Sequence, residues 1–313
     1  MSAMSRSNCS MAFTRRVRFM SFASLLLAAP SYAVNFPSHY AAPYLQIDSS
    51  DTGDMKADMH ATGDKFYTLA FLTASSGCQL QWEAGSDSPN TFVSAVKTLQ
   101  SAGGNVILSF GGEGSTELAQ SCTSVSKLTT AYNHVISAYG VTRLDFDIEG
   151  DAVDDTAANT RRNKALAALQ AKNSSLKIDY TLPVNPDGLP GDELDILKNA
   201  IDNGVKVNLV NIMTMDFGDG QNPLKDAESA AKATAAQLAS LYGISTSAAY
   251  AKLGLTPIAG QNDDNEFFSL SDAQSLENFA ASHGVQELAF WEVDGYDKGD
   301  GYAYSSVFNQ ITQ

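Results

Sequence analysis

Eight short runs of apolar, often β-branched or aromatic residues punctuate the chain: PYLQI (43–47), KFYTLAFL (65–72), NVILSF (105–110), TRLDFDI (142–148), LKIDYTL (176–182), VNLVNIMTM (207–215), LTPIAG (255–260) and ELAFWEV (287–293). Runs of this length and composition predict strands. In most of the gaps the apolar positions change to helical spacing. SVSKLTTAYNHVISAYG sets Leu128, Tyr132, Val135 and Ile136 on one face, with Ser124 as N-cap and Gly140 as stop. TRRNKALAALQA, GDELDILKNAIDNG, DAESAAKATAAQLASLYG and LSDAQSLENFAASHG show the same pattern, the last three ending at Gly204, Gly243 and Gly284. Strands that alternate with helices predict a parallel sheet, and eight such units in about 280 residues match an α/β fold of the (β/α)8 or TIM barrel type. An open doubly wound sheet is the rival. Its glycine-rich turn should come after the first strand, whereas SFGGEG comes after the third and lacks the GxGxxG spacing. No linker or low-complexity tract interrupts the pattern, so residues 34–313 are expected to form one domain.

The fourth run breaks the rule that strands are apolar on the face they bury. In VTRLDFDIEG (141–150), Asp145, Asp147 and Glu149 alternate with Leu144, Phe146 and Ile148. Residues i and i+2 of a strand share a face about 6.6 Å apart, so three carboxyls form a column. On an edge strand such a face would simply be solvated. In a central barrel strand the column points into the barrel, with Glu149 at the C-terminal mouth where barrel enzymes place their chemistry. Buried carboxyls must be paired, hydrogen-bonded or protonated, and folding alone gives no reason for them.

Charge and cysteines add context. Arg15, Arg16 and Arg18 precede the apolar stretch FMSFASLLLAA, and SYA at 31–33 offers a cleavage site after Ala33. This is the pattern of a secretory signal peptide over residues 1–33, and its apolar run is too short to span a membrane. Export to the extracellular space or periplasm is therefore expected. Residues 1–33 hold four arginines and no acid, so the remainder has 16 basic and 35 acidic residues, a net of −19. Such a surface repels phosphate backbones, and nucleic acid is not an expected partner. No later run is long enough for a membrane span, and a monomer is expected. Cys9 leaves with the signal. Cys78 and Cys122 each lie just beyond a strand end, and in an oxidising compartment a disulfide between them is favoured over two free thiols. The four histidines show no ligand spacing, so neither a metal nor another cofactor is expected.

With these motifs in view, D-x-D-x-E at the end of a fourth barrel strand resembles the signature of glycoside hydrolase family 18, the chitinase family, usually written DGxDxDxE. Asp145, Asp147 and Glu149 match its acids, while Thr142 and Arg143 stand where its leading Asp-Gly would be. LSFGG (108–112) resembles the family's SxGG element, NIMTMDFG (211–218) its MxYD element with Met213 and Asp216 in place, and LAFWEVDGYD (288–297) its last strand with the cleft tryptophan, Trp291. These four elements lie in order on strands 3, 4, 6 and 8. The resemblance implies a secreted enzyme that cleaves β-1,4-linked N-acetylglucosamine in chitin or chito-oligosaccharides with retention, the substrate's acetamido oxygen acting as nucleophile. Glu149 would be the general acid and base, Asp147 would orient the acetamido N–H, and Asp145 would share a proton with Asp147. The family's acetamido-binding tyrosine is Met215 here, and Phe217 also lacks a hydroxyl. Tyr180 on strand five and Gln261 on strand seven are the candidate replacement donors. Alone, Met213 and Met215 would read as core filler and Trp291 as packing. An endo-β-N-acetylglucosaminidase acting on N-glycans shares the same acids. A catalytically silent sugar-binding barrel stays open because of the missing tyrosine.

Overall fold

The computed structural model describes Met1 and residues 33–49, 55–220 and 222–312. Apart from its first and last residues, the expected signal peptide lies outside the described residues. Twelve strands are present among those described. They are β1 (Tyr40–Ala41), β2 (Tyr44–Gln46), β3 (Phe66–Ser76), β4 (Gln79–Trp82), β5 (Asn105–Gly111), β6 (Arg143–Asp147), β7 (Lys177–Pro183), β8 (Val207–Met213), β9 (Leu253–Thr256), β10 (Gly260–Gln261), β11 (Phe267–Phe268) and β12 (Glu287–Leu288). Parallel pairing runs β1-β12-β9-β8-β7-β6-β5-β3-β2. β1 and β2 are two halves of one segment, and this closes the ring. Tyr40 pairs with Glu287 on one side and Tyr44 with Thr68 on the other. Between them, the Ala42 amide donates to the Leu288 carbonyl (2.9 Å) and the Thr68 amide to the Pro43 carbonyl (3.0 Å). The eight strands of the barrel are thus the eight read from the pattern.

The helices stop where their capping residues require. Val125–Tyr139 begins after Ser124, whose hydroxyl accepts from the Lys127 amide, and ends at Gly140 in the left-handed conformation. Pro223–Tyr242 and Leu270–His283 end the same way at Gly243 and Gly284.

The seventh strand differs from expectation at both its end and its continuation, and one proline accounts for both. The apolar run predicts it over 255–260, but it occupies Leu253–Thr256. Pro257 has no N–H to donate, so the ladder breaks there. Its carbonyl still accepts from the Trp291 amide (2.9 Å), and the Ala259 amide donates to the Trp291 carbonyl (2.8 Å). Gly260 and Gln261 belong instead to a separate hairpin with Phe267 and Phe268.

Leu144, Phe146 and Ile148 are fully buried between sheet and helices. The Phe146 ring stacks on Phe110 (5.1 Å), and Tyr132 meets both edge-on at 5.1 and 5.4 Å. Behind this aromatic layer Arg162 is fully buried and paired with Glu117 at 3.1 Å.

Cys78 and Cys122 form a disulfide with Cα atoms 4.5 Å apart and a sequence separation of 44. It ties the turn between β3 and β4 to the end of the helix Leu118–Ser121. In the chain-entropy account, closing a loop of this length contributes about 3–4 kcal/mol. The double variant Cys78→Ser/Cys122→Ser is expected to lose about that much stability in a urea melt. An unchanged midpoint would show that the bridge constrains little.

Candidate active site

The barrel interior is layered, and the lower layers are polar. At the floor, Arg143 pairs with Asp179 (3.1 Å) and donates to the Tyr40 hydroxyl. Tyr40 in turn donates to Glu287 (2.5 Å), and Asn208 donates to Asp179 (2.9 Å). The guanidinium lies 4.8 Å from the Phe36 ring. Burial, with Asp179 nearby, pushes the Glu287 carboxyl up to about 8. Thus Arg143, where the family motif carries glycine, is the cation that holds a floor of buried acids together.

Asp145 lies one layer up and only 3 % exposed. Its carboxylate accepts from Ser109 (2.6 Å), Thr181 (2.8 Å) and Tyr44 (3.3 Å). Asn211 donates to Thr181 (3.2 Å) and is oriented by Thr256, which donates to its carbonyl oxygen (2.8 Å). Burial pushes the Asp145 carboxyl up to about 7 against the pull of these hydrogen bonds. Asp147 is 5 % exposed and borders the cleft, and its Oδ1 is buried without a hydrogen-bond partner. Burial together with the neighbouring Glu149 and Asp145 raises its carboxyl well above the usual range. Glu149, partly exposed at the mouth, is pushed up to about 7 by burial and then by the carboxylate of Glu113. Three stacked carboxyls in this setting cannot all be charged. The upper pair holds a proton near neutral pH, as a general acid needs.

The glycines of SFGG have a structural cause. A Cβ on Gly111 (φ +108°) would lie 2.0 Å from the Asp147 carbonyl oxygen, and one on Gly112 would lie 2.7 Å from the Phe71 ring. The Gly112 amide donates to that same carbonyl (3.2 Å). The end of β5 therefore presses on β6 at the acidic column.

A cleft of about 950 Å³ opens above the column. Trp291 and Phe71 stack at 5.6 Å with rings 7° from parallel, and Tyr44 lies 6.0 Å from Trp291. The Ala70–Phe71 and Trp291–Glu292 peptide bonds are cis. Met213, Met215 and Asp216 border the cleft with Asp147, Glu149 and Trp291. Asp216, at φ +49°, also accepts from the Asp264 amide (3.2 Å), so it steadies the loop beyond β10.

Two expected donors are elsewhere. Tyr180 is fully buried on the helix side of β7, where it packs on Phe146 (5.9 Å) and donates to Asn163. Its neighbours Asp179 and Thr181 face inward, so alternation turns Tyr180 outward. Gln261 spends its amide on the carbonyls of Asn262 (3.2 Å), Asp264 (3.0 Å) and Glu266 (2.9 Å), within its own hairpin. Neither replaces the tyrosine lost at Met215. Tyr44, Thr181 and Asn185 do border the cleft. Among the described residues no group of three or more His, Cys, Asp or Glu could hold a metal ion.

Nothing in the sequence singles out Glu113, yet its charge faces the acid. Glu113→Gln removes one cause of the raised Glu149 carboxyl, so Glu149 should ionise at lower pH. The alkaline limb of the kcat/KM profile should move to lower pH while the acid limb moves less. A stationary alkaline limb would mean that Glu113 does not act on Glu149.

No protein-family model matches the chain. A protein of Escherichia coli (strain K12) described as a "Probable bifunctional chitinase/lysozyme" is 33 % identical over 297 residues, covering 89 % of this chain and 33 % of that protein. Endochitinase 11 of Metarhizium anisopliae is 33 % identical over 274 residues, covering 82 % of this chain and 52 % of its own length. The chain thus spans between a third and about half of the curated relatives it matches. Among solved structures, catalytic-site mutants of active domain 2 of a thermostable chitinase from Pyrococcus furiosus, complexed with chito-oligosaccharides, superpose with a TM-score of 0.82 at 32 % identity. The match covers 91 % of this chain and 97 % of that one.

Proposed function

The chain belongs to glycoside hydrolase family 18, the chitinase family, and from that premise we propose that it hydrolyses β-1,4-linked N-acetylglucosamine chains with retention. The observation that carries this reading is Asp147: a buried carboxyl oxygen without a protein partner, beside a proton-holding Glu149 and beneath an aromatic surface. A sugar stacked on Trp291 would bring its acetamido group to the Asp147 carboxyl, which accepts the N–H. The acetamido oxygen then attacks the anomeric carbon as Glu149 gives its proton to the leaving glycosidic oxygen. The resulting oxazolinium carries positive charge, which the ionised Asp147 beneath it stabilises. In the second half, ionised Glu149 takes a proton from water. Water oxygen bonds to the anomeric carbon on the face the leaving group vacated as the bond from that carbon to the acetamido oxygen breaks, the acetamido group is restored and configuration is retained.

Met215 supplies no hydrogen bond to the acetamido oxygen, and Tyr44 and Thr181 spend their hydroxyl hydrogens on Asp145, so Asn185 at the cleft would have to serve. The Cys78–Cys122 disulfide supports export through residues 1–33. A fluorogenic chitobioside assayed beside a high-mannose glycoprotein tests the reading. Release of the fluorophore with the glycoprotein intact is expected. Glycan release alone would make the protein an endo-β-N-acetylglucosaminidase, and neither activity with retained oligosaccharide binding would make it a silent barrel.

A further inference from the structure

Among the described residues, every side chain bordering the cleft that carries formal charge is acidic, and no lysine, arginine or histidine borders it. Two of these acids, Asp147 and Glu149, are required by the chemistry. The other five are not. Glu83 lies just after β4 and Glu113 just after β5, while Asp216 lies beyond β8 and Asp263 and Asp264 lie between β10 and β11. In the eight-membered ring these two groups issue from strand ends on opposite sides, with the Glu149 strand and the Trp291 strand between them. Acids therefore flank the catalytic pair on both sides. Glu83 accepts only from the neutral amide of Gln46 (3.0 Å), and Asp264 accepts from the amides of Gly218 (3.0 Å) and Glu266 (2.6 Å). None of the five is in an ion pair among the described residues. The cleft itself is a ligand site on independent grounds, namely the unpartnered Asp147 oxygen and the stacked Trp291 and Phe71.

A fully N-acetylated sugar chain is neutral and gains nothing from this field. Replacing an acetamido group by a free amine puts a cation on the same chain. We infer that the cleft is built for partly de-N-acetylated chitin, with ammonium-bearing glucosamine units accepted along both acidic walls. The sugar whose acetamido oxygen attacks must keep its acetyl group, so cleavage falls after acetylated units within a mixed chain. This inference rests on the hydrolase reading above and deepens it. A cleft lined by one sign of charge concentrates an oppositely charged substrate and raises its capture rate by tenfold or more at low ionic strength. Salt screens that advantage.

The test compares two soluble chito-oligosaccharides of equal length at mildly acidic pH, one fully acetylated and one partly de-N-acetylated. At low salt, kcat/KM should be about tenfold higher for the partly de-N-acetylated chain, and the gap should close at high salt. The double variant Glu83→Gln/Asp263→Asn should narrow the gap several-fold and leave kcat/KM on the acetylated chain within about twofold. Equal kcat/KM for the two substrates, or a gap that neither salt nor the variant changes, overturns the inference. If the protein hydrolyses neither chain, the hydrolase reading fails by itself. Calorimetric binding of the same two oligosaccharides then decides, with equal affinities at low salt overturning the preference and tighter, salt-sensitive binding of the aminated chain supporting it.

Discussion

Replacing Glu149 with glutamine is expected to lower kcat on a chitobioside by about two to four orders of magnitude, the usual worth of a positioned general acid, while oligosaccharide binding survives. The amide keeps the volume of the carboxyl and its place at the barrel mouth, but it has no proton acidic enough to give to a glycosidic oxygen. Its effect on Asp147 runs the other way. Glu149 is one of the charges that raise the Asp147 carboxyl, and a neutral glutamine relieves that repulsion. Asp147 should then ionise more readily and grip the acetamido N–H at least as well, so affinity for intact oligosaccharides should hold or rise. The decisive pair of measurements is single-turnover hydrolysis and equilibrium binding on the same preparation. A variant retaining more than about a tenth of wild-type turnover, far above what loss of a general acid allows, would assign the proton to another group.

Gly111→Ala should be the most damaging conservative change in the barrel. Its methyl group would need the space of the Asp147 carbonyl oxygen, 2.0 Å away, at a backbone φ of +108° that alanine resists. The backbone strain and the collision each cost about 1–3 kcal/mol. A stability loss of about 3 kcal/mol or more is expected from these two costs in a thermal or urea melt. The folded fraction should also be slow, because β6 can yield only by shifting Asp147 and Glu149, and a displacement of about 1 Å can cost a hundredfold in rate. Gly114→Ala is the control. A Cβ there meets nothing nearer than the Glu83 carboxyl oxygen at 3.7 Å, and no unusual φ stands in its way. If Gly111→Ala melts like Gly114→Ala, the contact between β5 and β6 is softer than its geometry implies.

The eight strands and the inward column of acids were legible because both rest on a period of two, which survives any detail of loop structure. Applied throughout, the same period would also have placed Tyr180 correctly. In LKIDYTL the polar Asp179 and Thr181 share the inner face, which leaves Tyr180 with Ile178 and Leu182 against the helices. Gln261 escapes the cleft for another reason. Pro257 ends a ladder that the apolar run alone suggests will continue, and the residues beyond it form a hairpin that closes on itself. Glu113 and the buried floor of Arg143, Asp179, Tyr40 and Glu287 had no readable signal. The partners in that floor lie on different strands, up to 247 residues apart, and only closure of the ring brings them together.

That closure depends on a single short segment. Residues 40–46 pair with β12 through their first half and with β3 through their second. The earliest described strand therefore cannot complete its ladder until nearly the last one exists. While the chain is being made, β3 to β9 can zip together in order, but the seam stays open and exposes unpaired edges. The barrel is in effect a belt whose buckle is delivered last. Its slowest folding step should be this long-range clasp, and a polypeptide lacking only β12 should remain an open, association-prone sheet.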